Sequence, residues 1–481
     1  MPITINGSGT VTGISAGGLP DGTVDADTLA ANAVTDAKIA ANAVTDAKIA
    51  SNAVTNAKIA DDAVAAAEIA DNAVGLAALA GIARGKIIIG DSNGDPAVVS
   101  PGSADQVLTS DGTDVSWADA GGSGIGANLI HNPEYRVWQR GTTVTGVGTD
   151  GYAADRWKLW SNGGSHAMTV SRDTEVPAAS TAGAVFPFSA KLDVTTSATG
   201  NGATWWCQRI EKGDVYHIFR GGNASQATYV TFWAKSNKTG TYCFNLQTSQ
   251  STQRCFVKEI SMTNSWQKFS IAIPADTAAN NWGGNPYDQG VQIGIVLTAL
   301  DTSAGGNQDY AQATNNTWQN WGLGGNDYAL GTSNQVNFFD STSNEMYITG
   351  WKWEVGTAET AFNSRSYGEE INICQRYFEP IVNKENAEGI ATLAYWGTGA
   401  AYGSIRFAVE KRTVPSMWFS QGSHFKVRHA QGDRQCSQMG SGGTTKVSMR
   451  PDFNASGGTN GECGWGATTS SSAYWYMRSE M

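Results

Sequence analysis

The sequence predicts a mostly β protein in which a shaft of short helical repeats leads into antiparallel β-sandwiches. Three observations predict it. A strict internal repeat occupies the first part of the chain. Beyond it, short runs that alternate apolar and polar residues are separated by Gly, Asn and Pro clusters. The composition suits sheets and turns: 57 Gly and 17 Trp in 481 residues, with charged residues at 16%, well below the ~25% of an average domain. Few charges and many aromatics also exclude an intrinsically disordered chain.

Residues 31–40 read ANAVTDAKIA and residues 41–50 repeat them unchanged, while 51–60, 61–70 and 71–80 drift from the pattern. Aliphatic side chains recur at every fifth position: Val24, Leu29, Val34, Ile39, Val44, Ile49, Val54, Ile59, Val64, Ile69, Val74 and Leu79. On an α-helix, five residues overshoot a full turn by about 140°, so the rungs would spiral around the surface. On a strand, odd spacing alternates faces, and a coiled coil steps by three and four. The pattern therefore predicts helices of about six residues separated by kinks, each too short to be stable alone. Thr35, Thr45 and Thr55 are placed as N-caps, with Val34 and Ile39 as the halves of a hydrophobic staple. Asn32, Asn42, Asn52 and Asn72 fall where a helix ends in the left-handed conformation. Val34, Ile39, Val44, Ile49, Val54 and Ile59 are expected to pack between copies of the chain, because only packing enforces a period.

Residues 81–124 change character. Ile87-Ile88-Ile89, Val98-Val99 and Val107-Leu108 are short β-type runs between turn clusters, and Gly121-Gly122-Ser123-Gly124 reads as a hinge. Further runs at 229–233, 242–246, 268–273, 291–297 and 346–353, with no long helical period, predict an antiparallel sandwich.

The net charge is −11. Nucleic-acid binding needs basic stripes, and Lys411-Arg412 is the longest basic cluster, so nucleic acid is not an expected partner. No apolar run approaches the ~18 residues of a membrane span, and the opening MPITIN has neither the basic nor the apolar region of a secretory signal. The six cysteines include no CxxC pair and lack zinc spacing, so reduced structural thiols are expected.

The opening ITINGSGTVTGISAGGLPDGTV, the NAVTDAKIA repeats and ADQVLTSDGTDVSWAD resemble segments of bacteriophage tail-fibre shafts. Asn128-Leu129-Ile130-His131-Asn132, then Tyr135 to Gly141 (YRVWQRG) and Tyr152 to Trp157 (YAADRW), resemble the start of the jelly-roll, carbohydrate-binding-module-like domain of many phage tail proteins. Trp351 to Gly356 (WKWEVG), Phe362, Tyr367 to Glu370 (YGEE) and Cys374 to Phe378 (CQRYF) resemble its end. Arg406 to Pro415 (RFAVEKRTVP) resembles a strand motif of small C-terminal fibre heads. The resemblance implies an elongated homotrimeric fibre of the virion tail. Its parts would be an N-terminal segment, 1–24, that grips a tail or baseplate protein; a shaft, 25–80; a β neck and Gly-rich hinge, 81–124; a jelly roll, 125–366; and a C-terminal β-sandwich tip, 367–481. The implied partner is a host surface polysaccharide such as lipopolysaccharide, bound without membrane insertion. A structural adaptor or whisker-like fibre, and a tailspike depolymerase, are the alternatives.

Within that frame Trp138 and Trp157 are expected in the core, and Arg140, Asp155 and Arg156 in a buried charged network. Trp205-Trp206 is expected in the core or at an interface. The candidate glycan-binding rings are Trp282, Tyr287, Trp318, Trp321 and Tyr328, because they sit among Gly, Asn, Gln and Asp outside any apolar period. Rings in polar loops offer flat faces to sugar C–H groups while nearby amides meet the hydroxyls. Trp396, Tyr402, Trp465 and Trp475 on the tip come next. The acidic balance points to a neutral or weakly acidic glycan. No catalytic residues are expected: GxSxG, HExxH and phosphate-loop motifs are absent, and the five histidines are scattered. No cofactor is expected, although the jelly-roll resemblance admits a calcium ion with Asn132 and Glu134 as its candidate ligands.

Overall fold

The computed structural model describes residues 4–5, 11–12, 18–19, 22, 24, 27, 29–61, 63–64, 69, 84–93, 96–102, 106–110, 112–119, 127–148, 151–163, 165–198, 202–219, 225–249, 252–278, 284–299, 309–324 and 327–481. Most of the 1–24 segment, Val74 and Leu79 of the shaft, and the Gly-rich hinge lie outside the described residues. The chain divides into two compact units, 1–101 and 102–481.

In the first unit the three repeats of 31–60 each make one tight turn of three residues, Asp36–Lys38, Asp46–Lys48 and Asn56–Lys58. This corrects the expected six-residue helix. Lys38 N–H bonds the Thr35 carbonyl at 2.8 Å and Ile39 N–H bonds Asp36 at 2.9 Å. These are i to i+3 bonds, and Ile39 then returns to extended backbone, so no second helical turn forms. Thr35 and Thr45 occupy the N-cap position, but their side chains make no capping bond. A different side-chain bond ties each turn to the chain before it: Lys38, Lys48 and Lys58 Nζ donate back to the carbonyls of Ala33, Ala43 and Ala53 at 2.9, 2.7 and 2.6 Å. Asn32, Asn42 and Asn52 have φ of 61–62°, the left-handed state that Asn tolerates. They sit in turns closed by bonds such as Ala33 N–H to Ala30 O at 2.9 Å. The ladder residues are left in solvent, with Val34 at 55% and Ile39 at 44% exposure and their equivalents alike. The same unit holds the strand pairs Thr4–Ile5 with Val11–Thr12 and Ile87–Gly90 with Pro96–Val99.

The second unit contains the hairpin Gln106–Ser110 with Val115–Asp119 and two sandwiches. In the first, a six-stranded antiparallel sheet runs in the order Gln267–Ile273, Thr228–Ser236, Glu345–Val355, Ser189–Thr196, Ala167–Asp173, Thr143–Val147. The seven-stranded sheet runs Thr317–Asn320, Arg254–Met262, Gly240–Thr248, Gln289–Ala299, Ala203–Glu211, Trp157–Asn162, Gly151–Tyr152. The chain crosses repeatedly between the two sheets, with some consecutive strands paired as hairpins, as in the expected jelly roll. Its core is aromatic. Trp157 lies 5.3 Å from Tyr135, 5.2 Å from Trp351 and 6.1 Å from Trp206, and Trp351 stacks on Phe232 at 4.2 Å. Trp205 and Trp206, adjacent on one strand, point to opposite faces and both are buried.

The tip is a second sandwich. Its three-stranded sheet runs Phe378–Asn383, Tyr474–Arg478, Ser416–Phe419, and it packs on an eight-stranded sheet built from residues 392–468 over the core of Phe425, Phe453 and Trp475. Of the stretch 406–415, only Arg406 lies in a strand, which corrects the strand expected there. Lys411 and Arg412 spend their backbone N–H groups on Lys446 and Arg376, and of their side chains Arg412 reaches the jelly roll at the Tyr287 carbonyl.

Buried charges rivet the two sandwiches. Arg376 grips Glu211 at 2.8 and 3.0 Å, and Tyr377 donates to the same carboxylate at 2.6 Å. Within the tip, the fully buried Lys411 ammonium pairs with Glu379 and donates to the Gln375 carbonyl at 2.6 Å, which braces the strand beside the junction. Arg412 donates to the carbonyls of Ser479, Tyr287 and Glu480. Of the expected Arg140, Asp155 and Arg156 network, the Arg140–Asp155 pair is present, whereas Arg156 turns to His131, the Arg209 carbonyl and Tyr377. Asp155 accepts from the Gln139 backbone at 2.6 Å, and Arg140 bridges Asp155 at 3.5 Å to Glu480 at 2.6 Å. Arg156 holds φ of 72° and lies 3.4 Å from the Tyr377 ring centroid. Burial, reinforced by Arg156, Arg365 and Arg376, holds His131 well below the usual imidazole range. Its neutral Nδ1 can then accept from Arg156 Nε at 3.3 Å. Charge-assisted bonds of this kind fix geometry more than they add stability.

Candidate functional site

The sequence-predicted rings do not converge. Trp282 lies outside the described residues. Trp318 belongs to an edge strand that pairs Phe256; it packs on Phe219 and Phe256 and donates its indole N–H to the Pro274 carbonyl at 2.7 Å. Trp321 is 8% exposed, 5.8 Å from Tyr328, which itself stacks on Tyr310 at 5.0 Å. This cluster closes over Trp205 and Cys207 on the outer face of the seven-stranded sheet, and Asn245 pins it by donating to the Ala329 and Leu330 carbonyls. Both Trp318 and Trp321 are therefore packing residues rather than open platforms. The polar spacing misled because strand pairing, not loop exposure, places them. Tyr287 has Lys446 Nζ 3.6 Å from its ring centroid, and its carbonyl accepts from Arg412, so it serves the junction. Of the two calcium candidates, Asn132 exhausts its amide on Val137 and Asp155, and Glu134 accepts from Ser364 and faces Arg136. These donors do not fit a cation.

The open aromatic surface lies where the two sandwiches meet. Strand alternation builds it. In YWYMR, 474–478, Trp475 and Met477 point into the tip core, so Tyr474, Tyr476 and Arg478 point out. In SMWF, 416–419, Met417 and Phe419 lean on the core while Ser416 and Trp418 face outward. Register then sets Trp418 beside Tyr476 and Ser416 beside Arg478. Tyr474 stacks on Tyr476 at 5.0 Å, and the Arg478 guanidinium lies 4.7 Å from the Trp418 ring centroid. Trp418 keeps 53% of its surface exposed.

Two cavities flank this surface. One, of about 330 Å³, is lined by Arg140, Tyr152, Phe378, Lys384, Trp418, Tyr474, Tyr476 and Arg478 with Gly151. The other, of about 320 Å³, is lined by Tyr152, Lys158, Arg209, Ser416, Trp418, Arg478, Glu480 and Met481. They share Tyr152, Trp418 and Arg478, so they form two lobes of one groove. Tyr152 is fixed at the divide: its hydroxyl donates to a Met481 oxygen at 2.6 Å, and burial keeps that hydroxyl protonated. Flat rings flanked by long polar side chains in a groove of this size suit a ligand with apolar faces and many hydroxyls.

A third cavity, of about 260 Å³ beside Phe186, Trp233 and Phe362, has its charged pair closed on itself, with Lys268 and Glu359 2.8 Å apart. Among the tip candidates, Trp396 and Trp465 are exposed at 80% and 42%, Trp475 is buried, and the Tyr402 ring faces Arg450 at 4.7 Å. Among the described residues, no group of His, Cys, Asp and Glu could hold a metal ion, and no helix is long and apolar enough to cross a membrane.

No family model matches the sequence, and neither does any curated protein. Solved structures do show likeness. The enzymatically active domain of tailspike protein 4 from bacteriophage CBA120 is 13% identical with a TM-score of 0.26, covering 47% of this chain and 21% of that one. This chain thus spans about a fifth of that protein's length. A CBM4 structure is 12% identical with a TM-score of 0.24, covering 47% of this chain and 99% of that one. A family 11 carbohydrate-binding module from Clostridium thermocellum, in complex with a mixed-linked tetrasaccharide, is 11% identical with a TM-score of 0.23, covering 45% and 98%.

Proposed function

We propose that this chain is the subunit of a homotrimeric bacteriophage tail fibre that joins the tail through its N-terminal segment and attaches the virion to a bacterial surface glycan. The groove at Trp418 carries the reading. It offers exposed rings and hydrogen-bonding side chains on a frame locked by the junction's buried ion pairs. The shaft supports it: a ladder of exposed aliphatic residues at every fifth position has no use in a single chain, and copies aligned along it would hold identical heads together. We propose binding without cleavage, since the groove presents one carboxylate side chain, Glu480, already engaged with Arg140 at 2.6 Å, where glycoside hydrolysis uses two.

Each groove binds weakly, because sugar hydroxyls trade water for protein at little net gain. Several copies convert weak sites into avid attachment. Trp418→Ala should leave the head's melting temperature within a few degrees of the parent, since the ring is half in solvent. It should lower attachment of the full-length chain to host cells by about tenfold per groove, and by up to roughly a thousandfold for three grooves engaged at once. Pull-down on a panel of Gram-negative strains reads this. A folded variant that attaches like the parent would move the site elsewhere, and release of reducing sugar from the same cells would point to a depolymerase.

A further inference from the structure

The groove's charge runs against that of the molecule. The chain carries 43 acidic and 32 basic side chains, yet the two lobes are lined by Arg140, Lys158, Arg209, Lys384 and Arg478 against Glu480 as the sole carboxylate side chain. Asp155 behind Arg140 brings the side-chain count to five cations against two anions. The cations are also distributed. Arg140 and Arg478 are anchored near Glu480, at 2.6 and 3.8 Å, while Arg209 gives its Nε to the neutral Gln292 at 3.0 Å. Lys384 stands exposed at the rim, on a residue with φ of 53° that turns the chain just past the strand Phe378–Asn383. Arg478 belongs to both lobes and lies over Trp418, so a positive charge and the ring's apolar face meet at the centre of the groove.

We infer that the groove selects a saccharide bearing an anionic group, a carboxylate or a phosphate, seated between Trp418 and the Arg478–Lys384 side. This deepens the glycan reading and rests on it. A guanidinium matches the planar, two-oxygen geometry of either anion. Because the remainder of the surface is acidic, such a ligand is held at contact range, not drawn from afar, and its binding weakens as salt shortens the screening length.

The test uses lipopolysaccharide and capsular polysaccharide extracted from a panel of Gram-negative strains. Each extract is offered to the full-length chain untreated, after carbodiimide–borohydride reduction of its carboxylates, and after hydrofluoric-acid removal of its phosphates. The expected result is binding to an untreated extract that falls at least tenfold after one treatment, which identifies the anion. Lys384→Gln should weaken binding to the untreated extract several-fold and leave binding to the neutralised one unchanged. Equal binding before and after both treatments overturns the anionic inference and leaves the glycan reading standing. An equal loss for Lys384→Gln on both forms places the anion elsewhere and also overturns it. Absence of binding to every extract overturns the proposed function and this inference together.

Discussion

Gly294→Val should prevent the jelly roll from folding. Gly294 lies in the strand Gln289–Ala299, between Asn245 on one neighbour and Cys207 on the other. A Cβ there would stand 2.0 Å from the Trp206 carbonyl oxygen and 2.7 Å from Cys207 Cα. These are backbone atoms, so no rotamer change relieves the clash. The strand Ala203–Glu211 would have to move away, and it carries Trp206 of the core and Glu211, the carboxylate that holds Arg376 and Tyr377. Overpacking that forces backbone apart and breaks a buried ion pair falls in the range above about 4 kcal/mol, comparable with a domain's whole stability. The variant should be recovered as insoluble protein or lack a cooperative head transition in calorimetry. Gly322→Ala, where an added Cβ meets nothing within 4 Å, is the control and should melt within about a degree of the parent. A soluble Gly294→Val head with a parental transition would mean that the two strands are not so close.

The second large effect is expected in the shaft. Each ladder residue, about half exposed in one chain, has roughly 1 kcal/mol to gain from burial against a copy. Ile39→Asp combined with Ile49→Asp replaces two of those gains with carboxylates that face their own copies. An uncompensated charge in such a contact costs about 3–5 kcal/mol. Light scattering of the full-length chain at micromolar concentration should give a trimer for the parent and a lower mass for the variant. The shaft and the head are separate units, so the head's melting transition should stay put. A parent chain that is a folded monomer, or a variant that keeps the parent's mass, would remove the packing role of the ladder.

The sheets were legible because alternation reports strands directly, and the aromatic motifs near residues 128–157 and 351–353 meet in one core. The left-handed Asn32, Asn42 and Asn52 were legible because few other residues accept that backbone. The brevity of the shaft turns was not, since nothing in the local pattern reports that Ile39 and Ile49 return to extended backbone after a single turn. Trp321 shows a different limit. Alternation tells which face a ring occupies but not that the segment around Tyr310 and Leu330 will cover that face. The groove was half legible. The period-two pattern of YWYMR already sends Tyr474, Tyr476 and Arg478 opposite to Trp475, so the outward face is carried by the neighbours of that ring. Trp418 carried the same signal in SMWF. What no local pattern reports is that Tyr152 and Arg140, more than 250 residues earlier in the numbering, complete the groove. That depends on junction pairs such as Arg376 with Glu211, brought together only by the fold.

The most direct measurement is a crystal structure of the full-length chain or its trimer soaked with oligosaccharide prepared from the host's surface polysaccharide. The expected density is a sugar ring lying against the face of Trp418, with its chain running through both lobes across Tyr152 and an anionic substituent within hydrogen-bond distance of Arg478 or Lys384. Saccharide bound over Trp396 and Trp465 instead, with the junction groove empty, would contradict it.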